Sequence, residues 1–307
     1  MKLKHLIYLP VAAAFALAFV SCEWFRGKTG QGSDSLQTPQ FCTAEFEDSV
    51  IIQDVHAFQQ LRVDFPAEED TSLIAQSVLS WICAEVRDRC FPNYGEEAVD
   101  SVMSLEISSN TFAEDYVNAY GRKGLNRMAE DLREMAQDGY CGGYSNALFI
   151  ELEESTERYL TMSLGHEVYT GGAHGGYYAE SVTFFRKDGR QLDWSFFDKE
   201  KRPELVELLK KGLMAYFNDF EEDKVTTDSA LFDHLLLFDD PDTPENELEY
   251  GLPLPATVPA VKGDNMLFIY QQYEIAAYAL GLPCVSLPLT AVKDCLTEEG
   301  KRYLGFK

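Results

Sequence analysis

The chain has 307 residues, of which 46% are hydrophobic and 25% are charged, and its formal net charge is −25 at pH 7. This length and composition suffice for a sizeable core in one large domain or two modest ones. The charge argues against nucleic acid and against electrostatic attraction to anionic lipid, because both are negative themselves. A cationic partner would be favoured, although acidity also serves solubility alone.

The N-terminus has the pattern of an export signal. Lys2 and Lys4 precede an apolar run at residues 6–20, which is too short to span a bilayer as a permanent helix. The run ends just before Cys22 in a sequence that resembles a bacterial lipobox, whose cysteine becomes lipidated. We expect a lipoprotein signal peptide at residues 1–21 and acyl chains on Cys22. A secretory signal that is cleaved nearby is the alternative.

Residues 22–40 predict a flexible tether, because Gly, Ser, Thr and Gln predominate there without apolar periodicity. No dense acidic run follows Cys22, which favours an anchor that faces the periplasm from the outer membrane, if the cell is Gram-negative. The expected location is the cell envelope, with the lipid anchor as the sole membrane contact.

Six cysteines follow Cys22, an even number that permits disulfide bonds in an exported chain without fixing their pairing. Cys83 and Cys90 cannot bond to each other on one unbroken helix, because they would lie about 10 Å apart along its axis. No C-x-x-C motif is present, so neither a thioredoxin-like site nor a zinc ribbon is indicated.

The first half of the mature chain predicts two strands and two helices. Alternating apolar and polar residues indicate strands at residues 41–53 and 58–65. A helix follows, and its N-cap is Asp70, Thr71 or Ser72.

The second helix has a capping-box pattern at Thr111 and Glu114. Gly121 and Gly124 interrupt this helical stretch, and the turn at residues 138–139 ends it. We place a domain boundary at this turn.

After residue 139 the apolar period changes to two. Residues 145–164 predict a β-hairpin, and residues 177–186 predict another strand beyond a glycine-rich loop. Pro203 opens a helix, at a position where its missing N–H costs nothing.

The remaining chain adds shorter elements. Asp228 caps a short helix, and the proline-rich acidic segment 238–259 predicts an exposed loop. Residues 266–273 predict a strand, and a last helix begins at Pro288 and runs through residues 292–296. The expected fold is therefore α+β, with antiparallel sheets packed against helices. We expect two closely associated subdomains, at residues 41–138 and 139–307.

The loop Tyr169–Gly176, with the sequence YTGGAHGG, is the predicted ligand site. Its glycines allow positive φ or close chain approach. His174 could act as a general base, or its imidazole could hydrogen-bond the backbone and hold the loop, and we favour the second role. A third interpretation is a contact surface rimmed by aromatic residues. The candidate ligand-binding residues are Tyr169, Gly171, Gly172, His174, Tyr177 and Tyr178.

Catalytic companions for His174 are not indicated by any motif. The chain has no G-x-S-x-G elbow, no H-E-x-x-H and no P-loop. His166, His174 and Glu180 match no standard zinc spacing, so we expect no metal and no cofactor. The tyrosines at positions 270, 273 and 278 are more typical of a core than of a ligand site.

Two passages resemble a known family. The Tyr169–Gly176 loop with its following strand, and the stretch LFIYQQYEIAAYALG at residues 267–281, are similar to the extracellular domain of RsiV-type anti-sigma factors. Residues 41–137 resemble the companion domain that precedes it in RsiV and in the peptidoglycan deacetylase PdaC. The resemblance covers nearly the whole mature chain.

The resemblance implies a binding module of the cell envelope. RsiV binds lysozyme through this region, but no sigma-binding segment and no deacetylase signature is visible here. We therefore expect a non-catalytic lipoprotein that binds a lysozyme-like muramidase or peptidoglycan. A cell-wall hydrolase or deacetylase-like enzyme that uses His174 is the alternative.

Overall fold

The computed structural model describes residues 40–53, 55–90, 112–139, 141–219, 224–236 and 251–306. Its strands are β1 (Phe41–Ile52), β2 (Val55–Pro66), β3 (Gly143–Ser155), β4 (Tyr159–Tyr169), β5 (Gly176–Phe185), β6 (Ala260–Lys262), β7 (Asn265–Ile269) and β8 (Cys284–Pro288). Its helices are α1 (Leu73–Arg89), α2 (Phe112–Gln137), α3 (Arg202–Phe217), α4 (Asp228–His234), α5 (Leu289–Val292) and α6 (Glu298–Leu304). The predicted signal peptide, the tether to residue 39 and Thr111 lie outside the described residues.

The larger sheet has five strands in the order β1-β2-β3-β4-β5. Three of its strand pairs are antiparallel, as predicted, but β2 and β3 are parallel, from His56 opposite Gly143 to Val63 opposite Ile150. A parallel pair needs a long crossover, and α1 and α2 lie in that connection. The α+β prediction is confirmed, with this one pairing as the exception.

The smaller sheet has the order β6-β7-β8 and is antiparallel throughout. The predicted strand at residues 266–273 is too long, since β7 ends at Ile269. The chain turns there because the Gln271 backbone N–H donates to Glu274 Oε2 at 2.6 Å, and Tyr273 adopts φ 64°. The neighbouring strands β6 and β8 were not predicted, because they are too short to show an alternation of apolar and polar residues.

The two faces of the larger sheet carry different layers. Helices α1 and α2 pack on one face, where Leu61, Leu148 and Met162 are fully buried. The opposite face of β4 and β5 contacts the smaller sheet. There Thr161 Oγ1 donates to the Val261 carbonyl at 2.7 Å, and the Val261 N–H donates to Thr183 Oγ1 at 2.8 Å. A second apolar core, which includes α3, lies on that side.

The predicted interruption of the second helix is wrong, because α2 runs unbroken through both glycines. A Cβ atom on Gly121 would lie 2.3 Å from the Phe46 ring of β1, so glycine there lets the helix lie close to the sheet. Ser72 is the N-cap of α1, since its side chain accepts from the Ala75 N–H.

Two predictions on the later helices need correction, whereas Pro203 does stand in the first turn of α3. Thr227, not Asp228, caps α4 by accepting from the Ala230 N–H at 3.2 Å. The predicted last helix stops at Val292 and continues only as a 3-10 turn, because Thr297 caps a separate helix, α6.

The larger sheet takes β1 and β2 from before residue 139 and β3 to β5 from after it. The division at residues 138 and 139 stays a prediction. Cysteines at positions 42, 83, 90, 141 and 295 are free thiols, so a full disulfide framework is not formed. Within the described ranges, none of the helices is both long and apolar enough to cross a membrane.

Candidate functional site

The loop Tyr169–Gly176 joins β4 to β5 and has a backbone shape that requires glycine. Gly171 and Gly172 adopt φ values of 93° and 98°, in the left-handed region. The Tyr169 hydroxyl donates to the Gly172 carbonyl at 3.0 Å and closes the turn. A Cβ atom on Gly175 would lie 2.8 Å from the Val168 carbonyl oxygen, so the loop returns tightly against its own strand.

His174 is exposed, yet three contacts fix its ring. Its Nδ1 lies 2.9 Å from the Gly175 carbonyl, which only accepts, so Nδ1 carries the proton. Its Nε2 lies 3.2 Å from the Tyr273 hydroxyl and can accept from it. The ring stacks on Tyr278, with centroids 4.0 Å apart and an interplanar angle of 25°. The first contact is the one that a loop-holding role requires.

The segment after β7 covers the outer edge of β5 with side-chain amides. Gln271 Oε1 accepts from the Ala179 N–H at 3.2 Å, and its Nε2 donates to the Ala179 carbonyl at 2.7 Å. Gln272 Oε1 accepts from the Tyr177 N–H at 2.8 Å. Two glutamine side chains thus take the hydrogen bonds that a sixth strand would make.

Glu274 holds the covering segment in place through hydrogen bonds to two backbone N–H groups. Its carboxylate accepts from the N–H groups of Gln271 and Ala256, at 2.6 and 2.8 Å. Burial raises the pKa of Glu274, and these two hydrogen bonds oppose that rise. Tyr273 lies at the bend with φ 64°, an uncommon conformation for an aromatic residue, and it stays 47% exposed.

The glycine-rich loop and the covering segment meet here and enclose a cleft of about 430 Å³. Side chains from β4, from the loop, from β5 and from the covering segment line the cleft. The lining residues are His166, Val168, His174, Gly175, Gly176, Tyr177, Tyr178, Gln271, Gln272 and Tyr273. They include aromatic rings, amides and imidazoles, and none of them is an acid, a lysine or an arginine.

His166 is 8% exposed at the inner wall of the cleft. Its Nε2 lies 2.7 Å from Oδ1 of Asn146, a fully buried residue of β3. Burial and, to a smaller extent, the nearby Arg89 guanidinium lower the pKa of His166 to about 4. The imidazole is therefore neutral at physiological pH, where it can accept a hydrogen bond but hold no charge.

Tyr178 separates the cleft from a buried carboxyl group. Its hydroxyl donates to Glu180 Oε2 at 2.8 Å, and the Arg89 guanidinium lies 3.9 Å from the centroid of its ring. Burial raises the pKa of Glu180, an effect that the hydrogen bond from Tyr178 opposes. Arg89 itself pairs with Glu85 at 2.7 Å. Arg89 and Glu85 are thus paired with each other beside Tyr178.

The structure places the predicted residues in two groups. His174, Tyr177 and Tyr178 line the cleft, whereas Tyr169, Gly171 and Gly172 shape the loop beside it. Of the three C-terminal tyrosines, Tyr270 is a core residue, as expected, and is fully buried. The other two, at positions 273 and 278, contact His174 instead.

Sequence reasoning missed Gln271, Gln272 and Asn146 as parts of the site. The repeated glutamine directly after a strand was the available signal for the first two. Asn146 stands at an otherwise apolar position of β3, which was the signal for the third. The described ranges contain no group of three or more His, Cys, Asp or Glu side chains that could hold a metal ion.

Two solved structures have a similar fold. A member of the DUF3298 family from Bacteroides fragilis gives a TM-score of 0.57 at 18% identity, covering 87% of this chain and 97% of that chain. A DUF3298 family protein from Pseudomonas aeruginosa PAO1 gives 0.50 at 12% identity, covering 85% and 96%. At these identities the likeness concerns the fold alone. No protein-family model and no curated protein matches the chain.

Proposed function

We propose that this protein is a non-catalytic binding module of the cell envelope, and that its cleft holds an N-acetylated glycan such as a peptidoglycan strand. The uncharged lining of the cleft carries this proposal. Sugars present hydroxyl and amide groups around apolar ring faces, and the cleft offers amides and imidazoles beside tyrosine rings. The RsiV-type and PdaC-type resemblance supports an envelope role.

The contacts of His174 favour binding over catalysis. Gly175 and Tyr273 occupy both of its ring nitrogens, and Tyr278 covers one of its faces. A general base needs a nitrogen that can reach a substrate proton and a partner that stabilises the resulting charge. No carboxylate makes such a contact with His174 in the described part of the chain, and its two hydrogen bonds join the Gly175 backbone of the loop to Tyr273.

The decisive experiment uses two ligands that share the N-acetylated glycan chemistry. Purified protein is co-sedimented with peptidoglycan sacculi and titrated calorimetrically with tri-N-acetylchitotriose. We expect Tyr273→Ala to weaken binding about tenfold or more, because exposed aromatic rings carry much of the energy at such sites. Ile51→Ala is the control, since Ile51 is 76% exposed at the opposite edge of the same sheet. Absence of binding to both ligands would refute the proposal.

A lysozyme-like muramidase is the second candidate, and the net charge of −25 favours it. A basic partner would be drawn to this surface at a rate that falls steeply with ionic strength. Loss of lysozyme activity at stoichiometric protein, relieved by salt, would support this partner. Since the cleft lining has no charge, we expect Tyr273→Ala to leave that inhibition unchanged.

The enzymatic alternative has its own requirement. Turnover of muropeptides must be measurable and must vanish in His174→Ala while circular dichroism shows an intact fold. We expect no turnover by the wild-type protein. Turnover that depends on His174 would replace the binding proposal with a catalytic one.

A further inference from the structure

We propose that His166 is the polar anchor of the cleft, where its Nδ1 accepts a hydrogen bond from a hydroxyl or amide N–H group of the ligand. This inference rests on the proposed glycan-binding function and names the group that the inner wall selects. It concerns a residue that lies on β4, outside the glycine-rich loop.

The tautomer of His166 follows from its partner. Asn146 Oδ1 can only accept, so the Nε2 atom 2.7 Å away must carry the proton and donate it. Nδ1 then has a free lone pair. No hydrogen bond to Nδ1 is formed among the described residues, and His166 lines the cleft although it is only 8% exposed. An acceptor at the inner wall of the cleft that has no protein partner is available to a donor group of the ligand.

A row of polar side chains extends behind His166 into the sheet. Asn146 and its strand neighbour Gln59 are both fully buried on the face that α1 and α2 cover. Among the described residues, Asn146 Nδ2 and both polar atoms of the Gln59 amide have no hydrogen-bond partner. Apolar side chains would be more stable at such positions, so these amides require an explanation other than packing. We assign Asn146 the positioning role of fixing the His166 tautomer.

The surrounding charges keep this acceptor neutral. From α1, the Arg89 guanidinium disfavours a protonated imidazole, and from β5 Tyr178 stands between the cleft and Glu180. A neutral acceptor repels the lone pairs of a carboxylate and attracts a donor. The selected ligand face is therefore a hydroxyl or acetamido N–H group of an amino sugar, and not a carboxylate such as that of a lactyl substituent.

The test measures affinity for tri-N-acetylchitotriose in matched histidine variants. His166→Phe keeps a ring of similar shape without the acceptor, and we expect it to weaken binding about tenfold. His166→Gln retains an acceptor and should recover part of the loss. His56→Phe, at an exposed position of β2 outside the cleft, should bind like the wild type.

Nitrogen NMR of the wild-type protein gives a second measurement that needs no variant. The Nδ1 resonance of His166 should be that of an unprotonated nitrogen and should shift when the trisaccharide is added. In Asn146→Leu the tautomer signal should become mixed, which a merely structural role of Asn146 would not cause.

The outcomes separate the two proposals. Wild-type binding together with unchanged affinity in His166→Phe, or a protonated Nδ1, would overturn the role of His166 and leave the glycan function standing. A wild-type protein that binds neither the trisaccharide nor sacculi would overturn both.

Discussion

The two edges of the five-stranded sheet are protected in different ways. At the β1 edge, exposed acidic side chains such as Glu45 and Glu47 line the strand, and Arg62 of β2 pairs with Glu45 at 2.9 Å. At the β5 edge, the amides of Gln271 and Gln272 bond the outer backbone groups directly. Charge discourages further strand pairing at one edge, and a covering segment occupies the other.

This difference explains why the cleft lies at the β5 edge. A covering segment brings distant residues to the strand, so Tyr273 reaches His174 across 99 positions of the sequence. The concave surface between the segment and the loop is a consequence of covering the edge.

The largest loss of stability is expected when the hydrogen bonds between the covering segment and β5 are removed. Gln271→Leu keeps the side-chain volume but leaves the buried N–H and carbonyl of Ala179 without partners, so the free energy of unfolding should fall by about 4 kcal/mol. Urea denaturation measures it. Gln60→Leu near the β1 edge is the control, because its amide bonds only the exposed Glu47 and should change stability by about 0.5 kcal/mol or less. Equal losses would show that the two edges do not differ.

The pH dependence of stability should also separate the edges. Since the pKa of His166 is lowered from 6.5 to about 4, the unfolded chain binds a proton in this range that the folded chain does not. The free energy of unfolding should therefore fall by about 3 kcal/mol as the pH decreases from 6.5 to 4. His166→Gln should lack this component, and His56→Gln near the β1 edge should retain it.

The comparison between variants is needed because other groups near His166 titrate. Burial raises the pKa of Glu180, so its contribution has the opposite sign and increases stability as the pH falls. Glu180 is present in wild type and both variants, and its contribution cancels in the differences. An identical pH profile for wild type and His166→Gln would contradict the predicted depression.

A smaller loss in the free energy of unfolding is expected for a substitution in the glycine-rich loop beside the β5 edge. Gly175→Ala would place its Cβ 2.8 Å from the Val168 carbonyl, and relief of this contact should cost about 2 kcal/mol. Gly176→Ala is the matched control, since its Cβ would meet Val168 Cγ1 at an ordinary 3.5 Å. Thermal unfolding of the two variants provides the measurement. Similar melting temperatures would mean that the loop is free to relax away from β4.

Local patterns predicted much of the sheet because alternation is a property of each strand alone. The five strands of the larger sheet were expected near their observed positions, and the loop between β4 and β5 was expected from its glycines. The parallel pairing of β2 with β3 was not predicted, since strand order depends on how the intervening helices pack. Gly121 was misread for the same reason, because its need for glycine comes from Phe46 on another strand.

Only part of the candidate site could be predicted from the sequence. His174, Tyr177 and Tyr178 follow from the loop sequence, but the partner of His174 comes from a bend 99 residues later. Side-chain amides that replace a strand leave no periodic signal, so Gln271 and Gln272 could not be assigned to β5. The resemblance did name both passages, yet it could not state that they touch.

The smallest effect tests the ring contacts of His174 against those at the β1 edge. His174→Phe should keep the stack on Tyr278 and lose the two hydrogen bonds, lowering the free energy of unfolding by about 0.5 kcal/mol, because the site is exposed. His174→Ala loses the stack as well and should reach about 1 kcal/mol.

His56 provides the comparison, since it stacks more loosely on Phe58 with centroids 6.5 Å apart. His56→Phe and His56→Ala should then differ by less than the two His174 variants do when all four are unfolded in urea. A difference of equal size at both positions would mean that the ring of His174 contributes no more than any exposed histidine. The close stack on Tyr278 would then be incidental, and the hydrogen bonds alone would hold the loop.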